Sequence, residues 1–459
     1  MLDLLKNLIQ EGRHPSADQL IERQLRVTPR PDRITVIQGV RRCGKSAYQQ
    51  WFMMNLIKEG VPETNLIHID FSDSRLRTLR RASLDIILKA YQSLYPDHDI
   101  RKEKLYFFLD EVQRVGNWPT FVMEIRQQLN CEVFLTASTQ SLFTREDTAA
   151  LRPECDIYEL FPFSFLEYLR LRGVHPHNPP QDKELPFLSH MFERYMEVGG
   201  FPAAILTYDK ESRLQRLQNY VSGVICTELF QHYHISDPLA FSDLAHHLLG
   251  HVSQTFTSRQ IINFLKSNGH ECNERTVQDF MRWMEDFYFI AGMEEMRRPG
   301  DPAQRDTHWR ILSIDHSLSR AVSPETEYRL DSYLRNAMAM SLRHTTPTLH
   351  YYRCDSGAEV DFCVTPFGKR RMLIQVRDQI AYGTPEWENT MNALSEAMYE
   401  LDIREDGYLV TNEDRIETWI VNGKVIQQVP AYRFILHLNS TNAQYANAIQ
   451  RSNSPPREN

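Results

Sequence analysis

The residues best suited to chemistry lie between Gly39 and Ser46. Gly39, Val40, Arg41, Arg42, Cys43, Gly44, Lys45 and Ser46 fit the pattern G-x-x-x-x-G-K-[ST] without a mismatch. Glycines at such positions let backbone N–H groups wrap a chain of phosphates. Lys45 can reach the β- and γ-phosphates of a nucleotide, and the Ser46 hydroxyl suits Mg²⁺. The helix that should run on through Ala47 points its positive end at the same anion. Further along, "KLYFFLDEV" delivers Asp110 and Glu111 at the end of an apolar run. Asp110 is a candidate Mg²⁺ ligand. Glu111 is a candidate general base for an attacking water. "CEVFLTAS" ends in Thr136, Ala137 and Ser138, so Thr136 or Ser138 can sense a γ-phosphate or position water, although turn formers also end many strands.

Elements of a definite kind must position these groups. "RITVIQ" reads as a strand before the glycine loop, and "KSAYQQWFMMNLIKEG" as a helix after it, closed by Gly60. "NLIHIDF", "KLYFFLDEV" and "CEVFLTAS" read as further strands, interleaved with helices. Continuous apolar strands alternating with helices predict a buried parallel sheet. Ligands of such sheets sit at the carboxyl ends of the strands, where Asp110 and Glu111 fall.

Four hundred and fifty-nine residues exceed one ordinary core, so several domains are expected. Residues 1–33 read as two short helices and a turn, 34–174 as the α/β nucleotide domain and 175–324 as a mainly helical region. Residues 325–440 read as a second α/β domain with a mixed sheet, and 441–459 as a flexible tail. The net charge of −8 disfavours a protein coated in nucleic acid, while a local basic patch stays open. No apolar run approaches the length of a membrane helix. Seven scattered cysteines without a CxxC pair suggest reduced thiols and a cytoplasmic location.

Taken in order, the motifs resemble an AAA+-like bacterial and archaeal P-loop ATPase family with a C-terminal domain of unknown function of PD-(D/E)xK nuclease-like fold. The resemblance is carried by "GVRRCGKS", "FLDEVQRVGNW", "LTASTQSLF", "LFPFSFLEYL", "YMEVGGFPAAI" and "GAEVDFCV". Ala137 replaces the glycine usual in the third of these. The resemblance implies ATP and Mg²⁺ as ligands, a winged-helix-like unit in the middle region and a restriction-endonuclease-like C-terminal fold. Hydrolysis of this type often takes an arginine from a neighbouring subunit. Arg145 and Arg152 are the candidates, and ordinary surface arginines are the simpler reading of both.

In the middle region, Ile261, Ile262 and Leu265 form one apolar helical face, and Val277, Phe280, Met281, Met284, Phe287 and Tyr288 another. Arg275 and Arg282 stand against Glu274, Asp279, Glu285 and Asp286. That balance favours a packing or relay module over DNA binding. Asp243, His247 and His251 recur every four residues and could share a metal, but Gly250 weakens the helix there. Core or surface roles suit them, and His232, His234 and His246, better.

A PD-(D/E)xK centre needs two carboxylates and a lysine about Mg²⁺. Glu359 and Asp361 supply acids, with Asp331 as a further candidate. The strand that should end in Glu-x-Lys reads Gln375, Val376, Arg377. Gln375 lacks the charge to anchor a divalent cation, and Arg377 is too basic to accept a proton. A retained fold with a lost cutting centre is expected, unless Asp378 swings inward. Arg353, Arg370, Arg371 and Arg377 could still hold a phosphate backbone or a protein acid.

The expectation is an Mg²⁺-dependent ATPase whose hydrolysis moves the helical and C-terminal domains, within a homo-oligomer. The alternatives are a nucleotide-loaded switch that recruits DNA or a protein client with little turnover, and an ATP-gated nuclease, which Gln375 disfavours.

Overall fold

The computed structural model describes residues 1–12, 20–76, 84–144, 146–298, 308–323, 330–366 and 370–438. Arg145 and the tail expected at 441–459 lie outside them. The chain divides into two units. The first runs from Met1 to Pro162 and includes Asp286–Tyr288; the second takes Phe163–Glu285 and the chain from Phe289 on.

The first unit is built on five strands, β1 (Ile34–Gln38), β2 (Leu66–Asp70), β3 (Leu105–Asp110), β4 (Cys131–Ala137) and β5 (Cys155–Glu159). They form one sheet in the order β2-β3-β4-β1-β5, and every pairing is parallel. β3 is buried along its whole length. This explains its uninterrupted apolar sequence, because helices cover both faces. Leu105, Phe107 and Leu109 turn to one face, where helices Leu2–Gly12, Asp85–Leu94 and Trp118–Gln128 contribute Leu5, Ile9, Ile87 and Phe121. Tyr106 and Phe108 turn to the other, against Met53 and Leu56 of helix Lys45–Lys58. There Phe108 stacks on Phe134 at 4.6 Å. Each fully buried side chain of this size contributes about 1.5–3 kcal/mol.

Of the two short helices expected before residue 33, the described residues contain Leu2–Gly12; residues 20–33 are not helical, and residues 13–19 lie outside the described residues. β5 was not anticipated: its residues are mostly half-buried at the sheet edge, so "CDIYE" lacks the apolar run that marked its neighbours.

The second unit opens with helices Phe165–Leu171, Leu185–Val198, Lys210–Gly223 and Pro238–Gly250. Among the described residues its sheet has nine strands: β6 (Thr255–Thr257), β7 (Ile290–Glu295), β8 (His308–Ser313), β9 (His350–Arg353), β10 (Glu359–Val364), β11 (Met372–Arg377), β12 (Gly407–Thr411), β13 (Glu417–Val421) and β14 (Lys424–Pro430). The order is β13-β14-β12-β11-β10-β9-β7-β8-β6. β7 pairs in parallel with β9 through Glu294–His350 and Glu295–Tyr351, so the middle region and the C-terminal region share one sheet. β8, also unanticipated, pairs antiparallel with both β6 and β7. Helices Ser258–Ser267 and Glu274–Asp286 bury Ile261, Leu265, Val277, Phe280, Met281 and Met284, most of the faces that helical periodicity selected; Ile262 is half-buried, and buried Phe287 and Tyr288 follow the end of the second helix. Helix Leu330–Arg343 precedes the antiparallel meander β9–β10–β11, and helix Pro385–Glu400 leads into β12, parallel to β11. All seven cysteines are free thiols. Among the described residues, no helix is long and apolar enough to cross a membrane.

Candidate functional site

The carboxyl ends of β1, β3 and β4 lie side by side, and their last residues converge. After Gln38 the chain must turn sharply into helix Lys45–Lys58. Arg42 has φ 64° and Gly44 φ 105°, both in the left-handed region. A Cβ on Gly39 would lie 2.1 Å from the Leu160 carbonyl oxygen, so only glycine fits there.

Lys45 is buried. Its ammonium donates to the Gly39 carbonyl at 3.0 Å, to the Val40 carbonyl at 3.2 Å and to Ser138 Oγ at 2.7 Å. It also lies 3.2 Å from Glu111 Oε1. Ser46 Oγ donates to Asp110 Oδ2, and Thr136 Oγ1 donates to Asp110 Oδ1. Thr136 Oγ1 in turn accepts from the Glu111 N–H at 2.9 Å. Ser138 Oγ donates to Glu111 Oε1 at 2.6 Å, and Gln113 Nε2 to Glu111 Oε2 at 2.6 Å. Glu111 has φ 55°, a conformation that costs on the order of 1–3 kcal/mol outside glycine. Strain of this kind tends to collect where function fixes a side chain.

The electrostatics follow from burial and pairing. Burial and the neighbouring Glu111 push the Asp110 carboxyl up to about 6, against the hydrogen bonds from Ser46 and Thr136. Burial would also raise Glu111, but the Lys45 charge and the bonds from Ser138 and Gln113 outweigh it and hold the carboxyl well below its usual range. Burial would lower Lys45, yet Glu111, Cys43 and Asp110 raise it above the ordinary value. The cluster therefore pairs one firmly charged couple, Lys45 and Glu111, with a buried acid, Asp110, that has no Lys or Arg at hydrogen-bond distance among the described residues. Asp110 and the Ser46 hydroxyl together offer hard oxygen donors of the kind Mg²⁺ takes, and a cation would relieve the buried acid. Those residues fit that ion.

Gly39, Val40, Cys43, Gly44, Lys45, Ser46, Asp110, Glu111, Thr136 and Ser138 are thus gathered in one place, with Arg41, Arg42 and Ala47 in the same turn and helix start. Arg152 is elsewhere: it is exposed, in a short turn, with its guanidinium 5.9 Å from the Phe143 ring centre. In the sequence Gln113 marks the motif "FLDEVQRVGNW" two residues after Glu111, but no role is read for it, and Arg23 is not singled out. Arg23 precedes the sheet and has no motif to mark it.

The C-terminal acids are differently placed. Glu359 accepts from Arg310 and, at 2.8 Å, from Arg353 Nη2. Asp361 lies 3.5 Å from Arg310 Nη1, 3.5 Å from Arg335 Nε and 3.4 Å from Arg377 Nη1, and accepts from the Val376 N–H at 2.9 Å. Gln375 Oε1 accepts from the Asp361 N–H at 3.2 Å. Asp331 accepts from the Asp378 N–H. Arg353 and Arg377, read from sequence as free to hold a phosphate or a foreign acid, are instead paired with acids of their own sheet.

The histidine cluster does not assemble a metal site. Asp243 accepts from His270 Nε2 at 2.9 Å, His247 stacks on Phe264 at 3.8 Å and His251 Nδ1 bonds the His247 carbonyl at 2.7 Å. Helix Pro238–Gly250 ends before His251, as Gly250 suggested. Cys354, Glu396 and Glu400 do group closely, but the carboxylates accept bonds from Ser356, Asp355 and Tyr352, which hold the turn between β9 and β10.

Comparison with known proteins bears on the first of these sites. Residues 189–329 match the family model of a domain of unknown function. An uncharacterized protein of Methanocaldococcus jannaschii is 23% identical over 427 residues, 91% of this chain and 91% of its own length. An uncharacterized protein of Haemophilus influenzae is 22% identical over 364 residues, 79% of this chain and 86% of its own. Among solved structures, the Walker-type ATPase of Pyrococcus abyssi aligns at 15% identity and TM-score 0.39, over 68% of this chain and 95% of that one. The Aeropyrum pernix ORC1 protein in complex with DNA aligns at 12% identity and TM-score 0.32, over 71% and 91%. Residues 31–169, which contain the whole Lys45–Glu111 cluster, match the family model of an AAA domain.

Proposed function

We propose that this chain is an Mg²⁺-dependent ATP-binding protein and ATPase that couples hydrolysis to movement of its helical and C-terminal elements. One observation carries the reading: Ser46, from the turn after β1, donates to Asp110 at the end of β3, while adjacent Lys45 meets adjacent Glu111 at 3.2 Å. Two residues of the glycine loop thus meet the two acids of the distant strand, one to one.

The chemistry follows from these contacts. The loop from Gly39 to Ala47 holds the triphosphate, and Lys45 turns from Glu111 toward it. Glu111 then loses the positive charge that depresses its proton affinity and becomes a better acceptor for a proton from water. Ser138 and Gln113 keep its carboxylate aimed, and Thr136 fixes both Asp110 and the Glu111 backbone. Mg²⁺, when bound at Ser46 and Asp110, supplies charge neutralisation at the phosphate oxygens. Exposed Arg152 is available to a neighbouring copy, which keeps a homo-oligomer in the proposal.

Phosphate release tests the reading. Lys45→Ala should abolish nucleotide binding. Glu111→Gln should still bind ATP while turnover falls at least about a hundredfold. Normal turnover in Glu111→Gln would overturn the role of Glu111. The full engagement of Glu111 by Lys45, Ser138 and Gln113 favours a second reading, a nucleotide-loaded switch that recruits DNA or a protein client. That reading requires tight binding with negligible release by the unmodified chain. The helix–meander–helix–strand order of the C-terminal region supports a PD-(D/E)xK-like fold, and the β6–β8 sheet with helices Ser258–Ser267 and Glu274–Asp286 supports a winged-helix-like unit. Cutting by that C-terminal region draws no support: arginines occupy the acids, and Gln375 stands where a carboxylate is needed.

A further inference from the structure

Two motifs have no part in nucleotide chemistry: "LFPFSFLEYL" at 160–169 and the Gly199–Gly200 turn. A run of short contacts gives both a role. Arg23 is 5% exposed. Its Nη1 donates to the Cys43 carbonyl at 3.0 Å and its Nη2 to the Phe161 carbonyl at 2.5 Å. The Cys43 thiol donates to the Leu160 carbonyl at 3.3 Å, the same oxygen that abuts Gly39. The Leu160 N–H donates to Gln38 at 2.7 Å. The glycine loop and residues 160–161 are therefore tied at several points.

The chain passes covalently into the second unit after Pro162, whose ring fixes φ. There the Phe163 N–H donates to the Gly200 carbonyl at 2.7 Å, and the Phe163 carbonyl accepts from Tyr195 Oη at 3.0 Å. The Gly200 N–H donates to Asp315 Oδ2 at 2.7 Å, and Asp315 Oδ1 accepts from the Ser317 N–H at 2.8 Å. Gly200 has no room for a side chain: a Cβ would lie 2.3 Å from the Phe163 carbonyl oxygen. Ser164 then caps helix Phe165–Leu171 in a reciprocal box with Glu167.

We infer that residues 160–164 are a strap that passes occupancy of the glycine loop to the Gly199–Gly200 turn, with Arg23 as its positioning residue. The inference rests on the nucleotide reading. The Cys43 carbonyl and the Gly44 N–H belong to one rigid peptide plane. An anion that draws that N–H rotates the carbonyl held by Arg23. The planar guanidinium bridges two carbonyls in fixed geometry, so Phe161 moves with Cys43. One residue of slack, Pro162, separates Phe161 from the Phe163 clamp.

Hydrogen exchange on the full chain, with and without Mg²⁺ and a non-hydrolysable ATP analogue, tests this. In the unmodified chain, nucleotide should change exchange in peptides spanning 39–48, 160–171 and 195–206, the last on the order of tenfold. In Arg23→Ala, nucleotide should still protect 39–48 while the response at 195–206 disappears. Arg23→Lys keeps the charge but not the fork, and should fail to restore the response. Asp315→Asn loosens the clamp far from the loop and should abolish the response at 195–206 with nucleotide affinity intact, which covers the case of an unstable Arg23 variant. Protection at 39–48 with no change at 195–206 in the unmodified chain overturns the strap and leaves the nucleotide site standing. An unaltered response in Arg23→Ala or Asp315→Asn also overturns it. Absence of protection at 39–48 removes the nucleotide reading and the strap together.

Discussion

Thr136 shows how much one side chain of the site decides. Its hydroxyl donates to Asp110 and accepts from the Glu111 N–H, so a single oxygen sets the carboxylate of one acid and the backbone of the next. Thr136→Val preserves the shape and removes both bonds. We expect turnover to drop roughly a hundredfold, because Glu111, the acid proposed to activate water, is no longer held in register, with nucleotide affinity little changed. Steady-state phosphate release beside equilibrium binding of a fluorescent nucleotide separates the two quantities. Gly39 is the opposite case, a residue defined by what it lacks. Gly39→Ala drives a Cβ against the Leu160 carbonyl oxygen, a backbone atom that the Leu160 N–H bond to Gln38 holds in place. The expected result is a loss of about 1–3 kcal/mol in the first unit and failure to bind nucleotide, read by chemical denaturation and by titration.

At the scale of elements, the clamp around Gly200 brings helix Leu185–Val198 and helix His316–Val322 together. His316 is buried and its Nε2 bonds the Tyr195 carbonyl at 3.3 Å; burial lowers its proton affinity below the ordinary histidine value, Asp315 opposing and Arg320 adding to the effect. The unfolded chain therefore binds a proton that the folded chain refuses. Stability should rise with pH through this window and fall as pH drops below about 6.5, by at most about 1.4 kcal/mol per pH unit. Melting curves of the unmodified chain and of His316→Gln at pH 7.5 and 5.5 check this, since the substitution should flatten the dependence contributed by this group. An equal slope in both proteins would rule His316 out as its source. The same scale explains the missed strands. β5 is a half-buried edge strand, which carries a weak apolar signature, whereas β8 lies mostly buried between β6 and β7 and is masked by its buried polar residues Arg310 and Ser313.

At the scale of the whole molecule, the second sheet is closed by charge as well as by strands. Arg310 of β8 reaches Glu359 and Asp361 of β10 and lies 4.3 Å from the Tyr351 ring centre, joining the middle region to the C-terminal region. Arg310→Ala removes one cationic partner from half-buried Glu359, which keeps Arg353, and from buried Asp361, which keeps Arg335 and Arg377. It should lower the stability of the second unit by about 1–3 kcal/mol, seen as an earlier melting transition. Supercoiled plasmid with Mg²⁺ or Mn²⁺ should remain uncut by the unmodified chain, and nicking that disappears in Asp361→Ala would refute this account of the centre.

The sequence by itself determined which residues come together at the carboxyl ends of β1, β3 and β4. Gly39 to Ser46, Asp110 and Glu111, and Thr136 and Ser138 were all legible as a group, because a glycine-rich loop between strand and helix and a strand ending in acids are short-range patterns with narrow physical causes. Helical faces such as Val277 to Met284 were legible for the same reason, since periodicity is local. Only the tertiary structure decided which partners those groups meet. Lys45 holds Glu111, Arg310 holds Glu359, and Arg23 bonds the Cys43 carbonyl and, 138 residues along the chain from itself, the Phe161 carbonyl. Asp243, His247 and His251 share a spacing yet not a site. Such pairings are set by how sheets and helices pack, and packing links residues whose distance in sequence carries no pattern to read.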